Sequence, residues 1–78
     1  MTLAPTPSIP VQSSLLASVR YQPAESILEL EFCGGAVYQY FDVPASIYDS
    51  LLAAESKGNY FNRQIRGHFS HALISRAR

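Results

Sequence analysis

The sequence has one cysteine, no tryptophan and no long run of apolar residues. Because Cys33 alone cannot form an internal disulfide, the class of small secreted domains held by disulfides is excluded. No stretch approaches the roughly 18–20 consecutive apolar residues that a membrane-spanning helix needs. The first residues carry neither a basic segment nor an unbroken apolar stretch, so no signal peptide is predicted. We therefore expect a cytoplasmic protein with no membrane partner.

The chain is short, at 78 residues, of which 47% are hydrophobic and 15% charged. This length allows one small domain. A core of this size is expected to leave only a few kcal/mol of net stability, so a partner or a second copy could add to it. A multi-step enzyme is hard to accommodate in so few residues.

Charge is unevenly distributed along the chain, although six basic and six acidic side chains cancel. Residues 1–56 contain all six acids and Arg20 as the only base, a net charge of −5. Residues 57–78 contain five basic side chains and no acid, a net charge of +5. Such a basic segment can meet phosphates, an acidic protein or the acidic part of another copy, or can form a solvated surface.

The composition divides the chain into three segments. Residues 1–13 contain three prolines, and because proline lacks the backbone donor that helix interiors and central strands need, this segment is predicted to be a flexible leader. Residues 14–67 are predicted to form the folded domain. Residues 68–78 are predicted to be a basic C-terminal tail, either helical or disordered.

Alternating apolar and polar residues predict three β-strands, at 15–21, 27–32 and 36–41. Gln22-Pro23-Ala24-Glu25 separates the first two strands and has proline where a type I turn favours it. Gly34-Gly35 separates the last two, and glycine supplies the positive φ angles of a tight hairpin. The pattern therefore predicts a three-stranded antiparallel meander.

The lengths of the two turns predict which residues face each other. A four-residue first turn places Val19 opposite Leu28, and a two-residue second turn places Leu30 opposite Gln39, so that opposed residues share a face. One face then carries mainly apolar side chains: Leu15, Ala17, Val19, Leu28, Leu30, Phe32, Val37 and Phe41. The opposite face carries Leu16, Ser18, Arg20, Ile27, Glu29, Glu31, Tyr38 and Tyr40.

A three-residue second turn is the alternative. It would reverse the third strand, because a one-residue slip moves every side chain to the other face, and Tyr38 and Tyr40 would then be core residues. We prefer the two-residue turn because it buries Val37 and Phe41 instead. In that register the two tyrosines lie beside the glutamates of the second strand.

A helix is predicted to follow the sheet. Pro44 suits the first turn of a helix. An apolar stripe at helical spacing comes after it, formed by Ile47, Tyr48, Leu51 and Leu52. This stripe is expected to cover the apolar face of the sheet.

A second helix is predicted from Asn59, its expected N-cap, after Gly58 ends the first helix. Phe61 and Ile65 fall on one side of this helix, and the arginines of the same segment point away. The expected fold class is therefore α+β, a three-stranded antiparallel meander followed by two helices packed on one face, β-β-β-α-α.

Several segments resemble the KTSC domain family. The family's central mark is a Tyr-x-Tyr pair, here Tyr38-Gln39-Tyr40. Val43-Pro44 and the run Gly58-Asn59-Tyr60-Phe61-Asn62 stand at the family's spacing, and the resemblance covers about residues 13–68. The family is named for its occurrence at the C-terminus of some lysyl-tRNA synthetases, and it also occurs as stand-alone small bacterial proteins.

The resemblance implies a small, non-enzymatic bacterial module. Because members of the family are attached to a tRNA-charging enzyme, the resemblance also implies a tRNA-like RNA as the partner. The chain has no room for a synthetase catalytic domain, so no ligase activity is implied. RNA recognition uses aromatic faces that stack on bases and cations that meet phosphates. The predicted site lies on the second helix and the tyrosines near it: Lys57, Asn59, Arg63, Arg66, Tyr38, Tyr40 and Tyr60.

A protein–protein interaction or self-association module is the alternative function. Helices can cover only one side of a three-stranded sheet, so the other face would remain exposed. A protein partner or a second copy could cover its apolar side chains, Leu16, Ile27, Tyr38 and Tyr40. An edge strand could also accept a partner's strand.

Patterns typical of catalysis or metal binding are weak. No histidine or basic residue adjoins Cys33 in the sequence. His68 and His71 are three residues apart, but a zinc site needs three or four ligands and no acid follows Glu55. We therefore predict no enzyme activity, no metal and no small-molecule cofactor.

Overall fold

The alternating segments of the chain pair into one antiparallel sheet of five strands whose spatial order follows the sequence. The computed structural model describes residues 8–76. The strands are β1 (Ile9–Pro10), β2 (Leu16–Gln22), β3 (Ile27–Phe32), β4 (Val37–Tyr40) and β5 (His71–Ser75). The helical segments are α1 (Ala45–Ala53), α2 (Lys57–Tyr60) and a π-helical turn (Phe61–Ile65) that continues α2. The α+β class with two helices is confirmed, and the predicted three strands are corrected to five.

The two additional strands form the edges of the sheet. β1 lies in the predicted leader and pairs with β2, with Pro10 opposite Ser18. An edge position suits Pro10 because proline cannot donate to a second neighbouring strand. β5 lies in the predicted tail and pairs with β4. The rest of the leader, residues 1–7, and the end of the tail, residues 77–78, lie outside the described residues.

The first turn is one residue further along than predicted. The amide of Glu25 donates to the carbonyl of Gln22 at 3.2 Å, and Ser26 has a φ of 57°. Val19 therefore pairs with Leu30 instead of Leu28. Since this shift is two residues, the predicted face is preserved, and these three side chains are buried together.

An irregularity in β2 changes the face of Leu16. The register shifts between Leu16 and Ser18, which is the signature of a β-bulge. Leu16 is consequently fully buried, at 0% exposure, where alternation placed it on the open face. The Ser13 hydroxyl accepts hydrogen bonds from the amides of Leu15 and Leu16, which hold the start of the strand.

The second hairpin has a three-residue turn, so the preferred two-residue register is wrong. The amide of Gly35 donates to the carbonyl of Phe32 at 2.8 Å, and the amide of Phe32 donates to the carbonyl of Ala36 at 2.8 Å. Gly35, with a φ of 100°, occupies the position after a tight turn that favours glycine. Leu30 consequently pairs with Tyr38, and Leu28 with Tyr40.

The core lies between one face of the sheet and the helical segments. Its buried side chains are Leu16, Val19, Tyr21, Leu28, Leu30, Tyr40, Val43, Leu51, Phe61 and Ile65. Tyr40 thus takes a core position that was predicted for Val37 or Phe41, both of which are only half-buried. The predicted contributions of Leu51, Phe61 and Ile65 are confirmed.

The two helices begin differently from the prediction. Pro44 is the N-cap of α1, one residue before its first turn. α2 begins after Ser56, whose hydroxyl accepts a hydrogen bond from the amide of Asn59 at 3.2 Å. Asn59 is therefore not an N-cap. Gly58 lies inside α2, where a Cβ atom would be only 3.3 Å from the Cβ of Leu15, closer than ordinary contact. No helix within residues 8–76 is long and apolar enough to cross a membrane.

Candidate nucleic-acid interface

The alternating tyrosines of β4 point toward the helical side of the sheet. Tyr40 is 5% exposed, and its ring packs edge-on against Phe61, with the centroids 5.7 Å apart. The imidazole of His71, directly opposite on β5, stacks on Tyr40 at 5.3 Å with an angle of 29° between the rings. The strand pairing of β4 with β5 therefore fixes a tyrosine–histidine stack.

Tyr38 extends this aromatic group toward the solvent. It is half-buried, and its ring packs edge-on against Phe32 at 5.8 Å. The Tyr38 ring also lies 5.7 Å from His71 and 6.5 Å from Tyr40. The Tyr-x-Tyr pair and His71 thus form one connected aromatic cluster.

This cluster lines a surface groove of about 320 Å³, here called the aromatic groove. Its aromatic lining comes from Phe32, Tyr38, Tyr40, Phe61 and His71. The remaining lining residues are Leu15, Asn62, Arg66 and Gly67. Sheet and helical segment therefore contribute opposite walls.

The helical wall supplies the positive charge. The amide of Arg66 donates to the carbonyl of Phe61 at 2.8 Å, the five-residue spacing of a π-helical turn. The guanidinium of Arg66 donates to the side-chain oxygen of Asn62 at 3.4 Å. Arg66 is exposed, so its remaining donors can reach a bound group.

No acidic side chain is among the residues that line the aromatic groove. Glu29 and Glu31 lie on the other face of the sheet, where Glu29 accepts from Arg20 at 2.6 Å and from Gln39 at 3.1 Å. Ser18 donates to Glu31 at 2.9 Å on the same face. The expected placement of the β4 tyrosines beside these glutamates is therefore wrong, because the three-residue turn reverses β4.

Burial raises the pKa of Tyr40 above the ordinary tyrosine value. The neighbouring Tyr38 adds to the rise, and the positive charge of Arg66 opposes it. Since desolvation disfavours the phenolate, Tyr40 presents a neutral hydroxyl and ring to the groove at neutral pH. The positive charge of the groove therefore comes from Arg66 and is not offset by Tyr40.

Three of the predicted site residues lie in a second groove, here called the polar groove. It has a volume of about 280 Å³ and is lined by Ala54, Glu55, Ser56, Asn59, Tyr60, Arg63 and Gln64. Glu55 adds an acidic group to the lining that contains Arg63. The structure thus separates Asn59, Tyr60 and Arg63 from the tyrosines of β4.

Lys57 lines neither groove. Its ammonium donates to the carbonyl of Ala54 at 3.1 Å, an interaction at the end of α1. A lysine beside the last carbonyls of a helix stabilises the helix end. The structure therefore gives Lys57 a local structural partner.

The predicted protein-interface residues do not form one surface. Leu16 and Tyr40 are buried in the core, and Tyr38 faces the helical side. Ile27 lies on the open face opposite Gln22, where it is half-buried. The bulge in β2 and the three-residue turn before β4 account for these changes of face.

His71 is one of several residues of the aromatic groove that the sequence did not predict as site residues. It was assigned to a helical or disordered tail, whereas it begins β5. The apolar run Ala72-Leu73-Ile74 after the Gly67 break is a strand signal that could have placed it. Within residues 8–76, no three His, Cys, Asp or Glu side chains come together as a metal site.

The KTSC domain model matches residues 12–69 of the chain. The chain belongs to the KTSC domain family. A KTSC domain protein from Yersinia pestis has the same fold, with a TM-score of 0.87 and 34% sequence identity over 90% of this chain and 99% of that one. Most of the aromatic groove lies within the matched residues, but His71 lies beyond them.

Relatives of this KTSC domain occur both as small proteins and within a large enzyme. A protein from Tsukamurella paurometabola is 48% identical over 77% of this chain and 90% of its own length. A lysine–tRNA ligase from Nostoc sp. is 38% identical over 88% of this chain, which corresponds to 12% of the ligase. The similarity to the ligase therefore concerns one small part of that enzyme.

Proposed function

We propose that this KTSC domain is a non-enzymatic RNA-binding module and that RNA occupies the aromatic groove. The observation that carries the proposal is the combination in one groove of Tyr38, His71 and Arg66 without an acidic lining residue. Aromatic faces stack on bases of any sequence, and a guanidinium binds phosphate through a planar pair of donors. These are the two interactions that RNA recognition needs.

The charge distribution around the sheet supports this placement. The acidic side chains of β3 are directed to the open face, where they are engaged by Arg20, Gln39 and Ser18. A phosphate backbone that approaches the helical side therefore does not meet them. The polar groove is a weaker candidate because Glu55 lines it together with Arg63.

The relatives of this domain support RNA as the partner class. The domain is similar to a segment of three lysine–tRNA ligases, from Nostoc sp., Trichormus variabilis and Nostoc punctiforme, at 36–38% identity over 88% of this chain. A lysine–tRNA ligase acts on tRNA, so the name of these relatives supports RNA as the partner of a domain found within them. A module that binds RNA would serve such an enzyme and could serve equally well alone.

An amide-shift NMR titration of the labelled protein with bulk tRNA, at low and then moderate salt, tests the proposal. We expect shifts at Tyr38, Tyr40, Arg66 and His71 that weaken as salt is added, because phosphate contacts release counterions. Absence of any shift at low salt would overturn the proposal.

A matched pair of arginine variants locates the site. Arg66→Ala should weaken tRNA binding several-fold and reduce the slope of log affinity against log salt by about 1. Arg76→Ala is the control, because Arg76 is exposed but lines neither groove. Arg63→Ala reports on the polar groove. If Arg63→Ala weakens binding and Arg66→Ala does not, the site lies in the polar groove.

Protein interaction remains a second candidate function, through an edge strand and not through the open face of the sheet. Ile74 is 51% exposed and Leu73 is 38% exposed on β5, an edge strand. Apolar side chains on an unpaired strand edge favour the addition of a partner strand. A mass that rises with protein concentration, and that falls in Ile74→Lys, would support self-association.

A further inference from the structure

We infer that His71 is the stacking platform for one unpaired RNA base and that Arg66 binds the phosphate next to it, so that the aromatic groove selects single-stranded over double-stranded RNA. This inference rests on the proposed function. It adds a binding residue outside the region that the KTSC domain model matches.

His71 has the geometry of a platform. One face of its imidazole lies on Tyr40, with the centroids 5.3 Å apart, and the residue is exposed. Tyr38 lies 5.7 Å from the same imidazole at an angle of 55°, so both tyrosines flank His71, and the exposed part of its ring is the surface on which a base can stack. Tyr40 is held in turn by Phe61 and by burial, so the platform is supported from below.

The size of the groove limits what can enter it. A volume of about 320 Å³ is near the lower end of the range for small-ligand clefts, roughly 300–1,000 Å³. A single nucleotide is a ligand of this class, whereas a duplex cannot enter a space of this volume. A paired base also cannot offer its face, because its neighbours in the duplex cover it.

The charge count favours the same conclusion. Proteins that read duplex RNA by shape contact phosphates across about 16 base pairs. The aromatic groove holds one guanidinium, that of Arg66, which is held beside Asn62 at 3.4 Å. One or two phosphate contacts suit a short single strand, for which the slope of log affinity against log salt should be about −0.7 to −1.4.

Fluorescence anisotropy with two labelled probes tests the inference. The probes are an unstructured octaribonucleotide and the same strand annealed to its complement. We expect the single strand to bind at least tenfold more tightly than the duplex. His71→Ala should weaken single-strand binding about tenfold, the effect of removing one base–aromatic stack. His68→Ala, which changes an exposed histidine outside the groove, should leave binding unchanged.

His71→Phe separates stacking from charge and retains an aromatic ring if His71→Ala disturbs the fold. It should keep single-strand affinity within about twofold of the wild type, because a phenyl ring also stacks on a base. Equal binding of duplex and single strand, or equal effects of His71→Ala and His68→Ala, would overturn the inference while the proposed function stands. If neither probe nor tRNA binds at low salt, the proposed function itself fails.

Discussion

The hydroxyl of Tyr21 donates a 2.6 Å hydrogen bond to the backbone carbonyl of Val43. The donor lies on β2 and the acceptor precedes α1, so the bond joins the sheet to the first helix. Tyr21 and Val43 are buried, and the ring of Tyr48 stacks on Tyr21 with the centroids 5.0 Å apart. Water therefore cannot take the place of the Tyr21 hydroxyl as hydrogen-bond donor to the Val43 carbonyl.

Tyr21→Phe should lower the free energy of unfolding by about 1–2 kcal/mol, because it leaves the buried Val43 carbonyl without this donor. Urea denaturation followed by circular dichroism measures the change. Tyr48→Phe is the control, since it keeps the stacked ring and leaves the Tyr21–Val43 bond intact. Equal losses in the two variants would show that the hydroxyl of Tyr21 has no special role.

The register of β4 predicts that substitutions at two neighbouring residues lower the free energy of unfolding by unequal amounts. Tyr40→Ala should reduce the free energy of unfolding by about 3 kcal/mol or more, because it empties a buried site against Phe61. Gln39→Ala should cost no more than about 1 kcal/mol, since it removes only the part-buried hydrogen bond to Glu29. A larger loss of stability in Gln39→Ala than in Tyr40→Ala would contradict this register and support the two-residue turn.

A pair of glycine variants tests the entry to β5. Gly67 has a φ of +78°, so Gly67→Ala should cost about 1–2 kcal/mol of stability even though the added methyl group meets open space. Gly34→Ala also adds a methyl group to open space, but without a positive φ. Gly34→Ala should instead raise stability slightly, by about 0.4–1 kcal/mol, because alanine restricts the unfolded chain at a position where it causes no strain. Thermal unfolding of both variants gives the comparison.

Stability should fall at alkaline pH. Burial raises the pKa of Tyr40, and burial together with Asp49 raises the pKa of Tyr48. Below about pH 9 these tyrosines are protonated in the folded and unfolded states alike, so their contribution is complete. As the pH rises further, the unfolded chain loses its protons first, and the free energy of unfolding decreases.

The urea midpoint measured from pH 7 to pH 11 should therefore stay level up to about pH 9 and then decline. Tyr40→Phe removes one of the two phenols whose pKa is raised and should make the decline shallower. An unchanged slope in Tyr40→Phe would show that ionisation of Tyr40 does not drive the alkaline loss.

Periodicity was sufficient to predict much of the core. Leu28 and Leu30 alternate with charged residues, and the helical spacing of Phe61 and Ile65 identified their buried side. These patterns are local, so neighbouring residues carry the whole signal. The resemblance of the Tyr-x-Tyr segment to the KTSC domain was likewise predictable and is confirmed.

The register of β4 was harder to predict because two turn lengths fit the same residues. Gly34-Gly35 can form a two-residue turn, but the structure uses Cys33 as a third turn residue and gives the positive φ to Gly35. The choice buries Tyr40 against Phe61, a contact between residues far apart in sequence. Turn composition alone does not carry that information.

The remaining errors also come from long-range contacts. The bulge at Leu16 depends on the Ser13 hydroxyl and on pairing with β3. The strand signal of β5 is weak, because it consists of the three apolar residues Ala72-Leu73-Ile74 and the strand is mostly exposed. His71 was consequently missed as a site residue.

Phe32 lines the aromatic groove from the central strand β3 and His71 from the edge strand β5, so two parts of its sheet wall differ in kinetic terms. The amides of β3, around the fully buried Leu28 and Leu30, should exchange with solvent only when the whole domain unfolds. The amides of β5 have a neighbouring strand on one side only and should exchange through local opening. Each such opening carries His71 away from Tyr40. The lifetime of the paired β5 edge therefore sets how long the groove stays assembled.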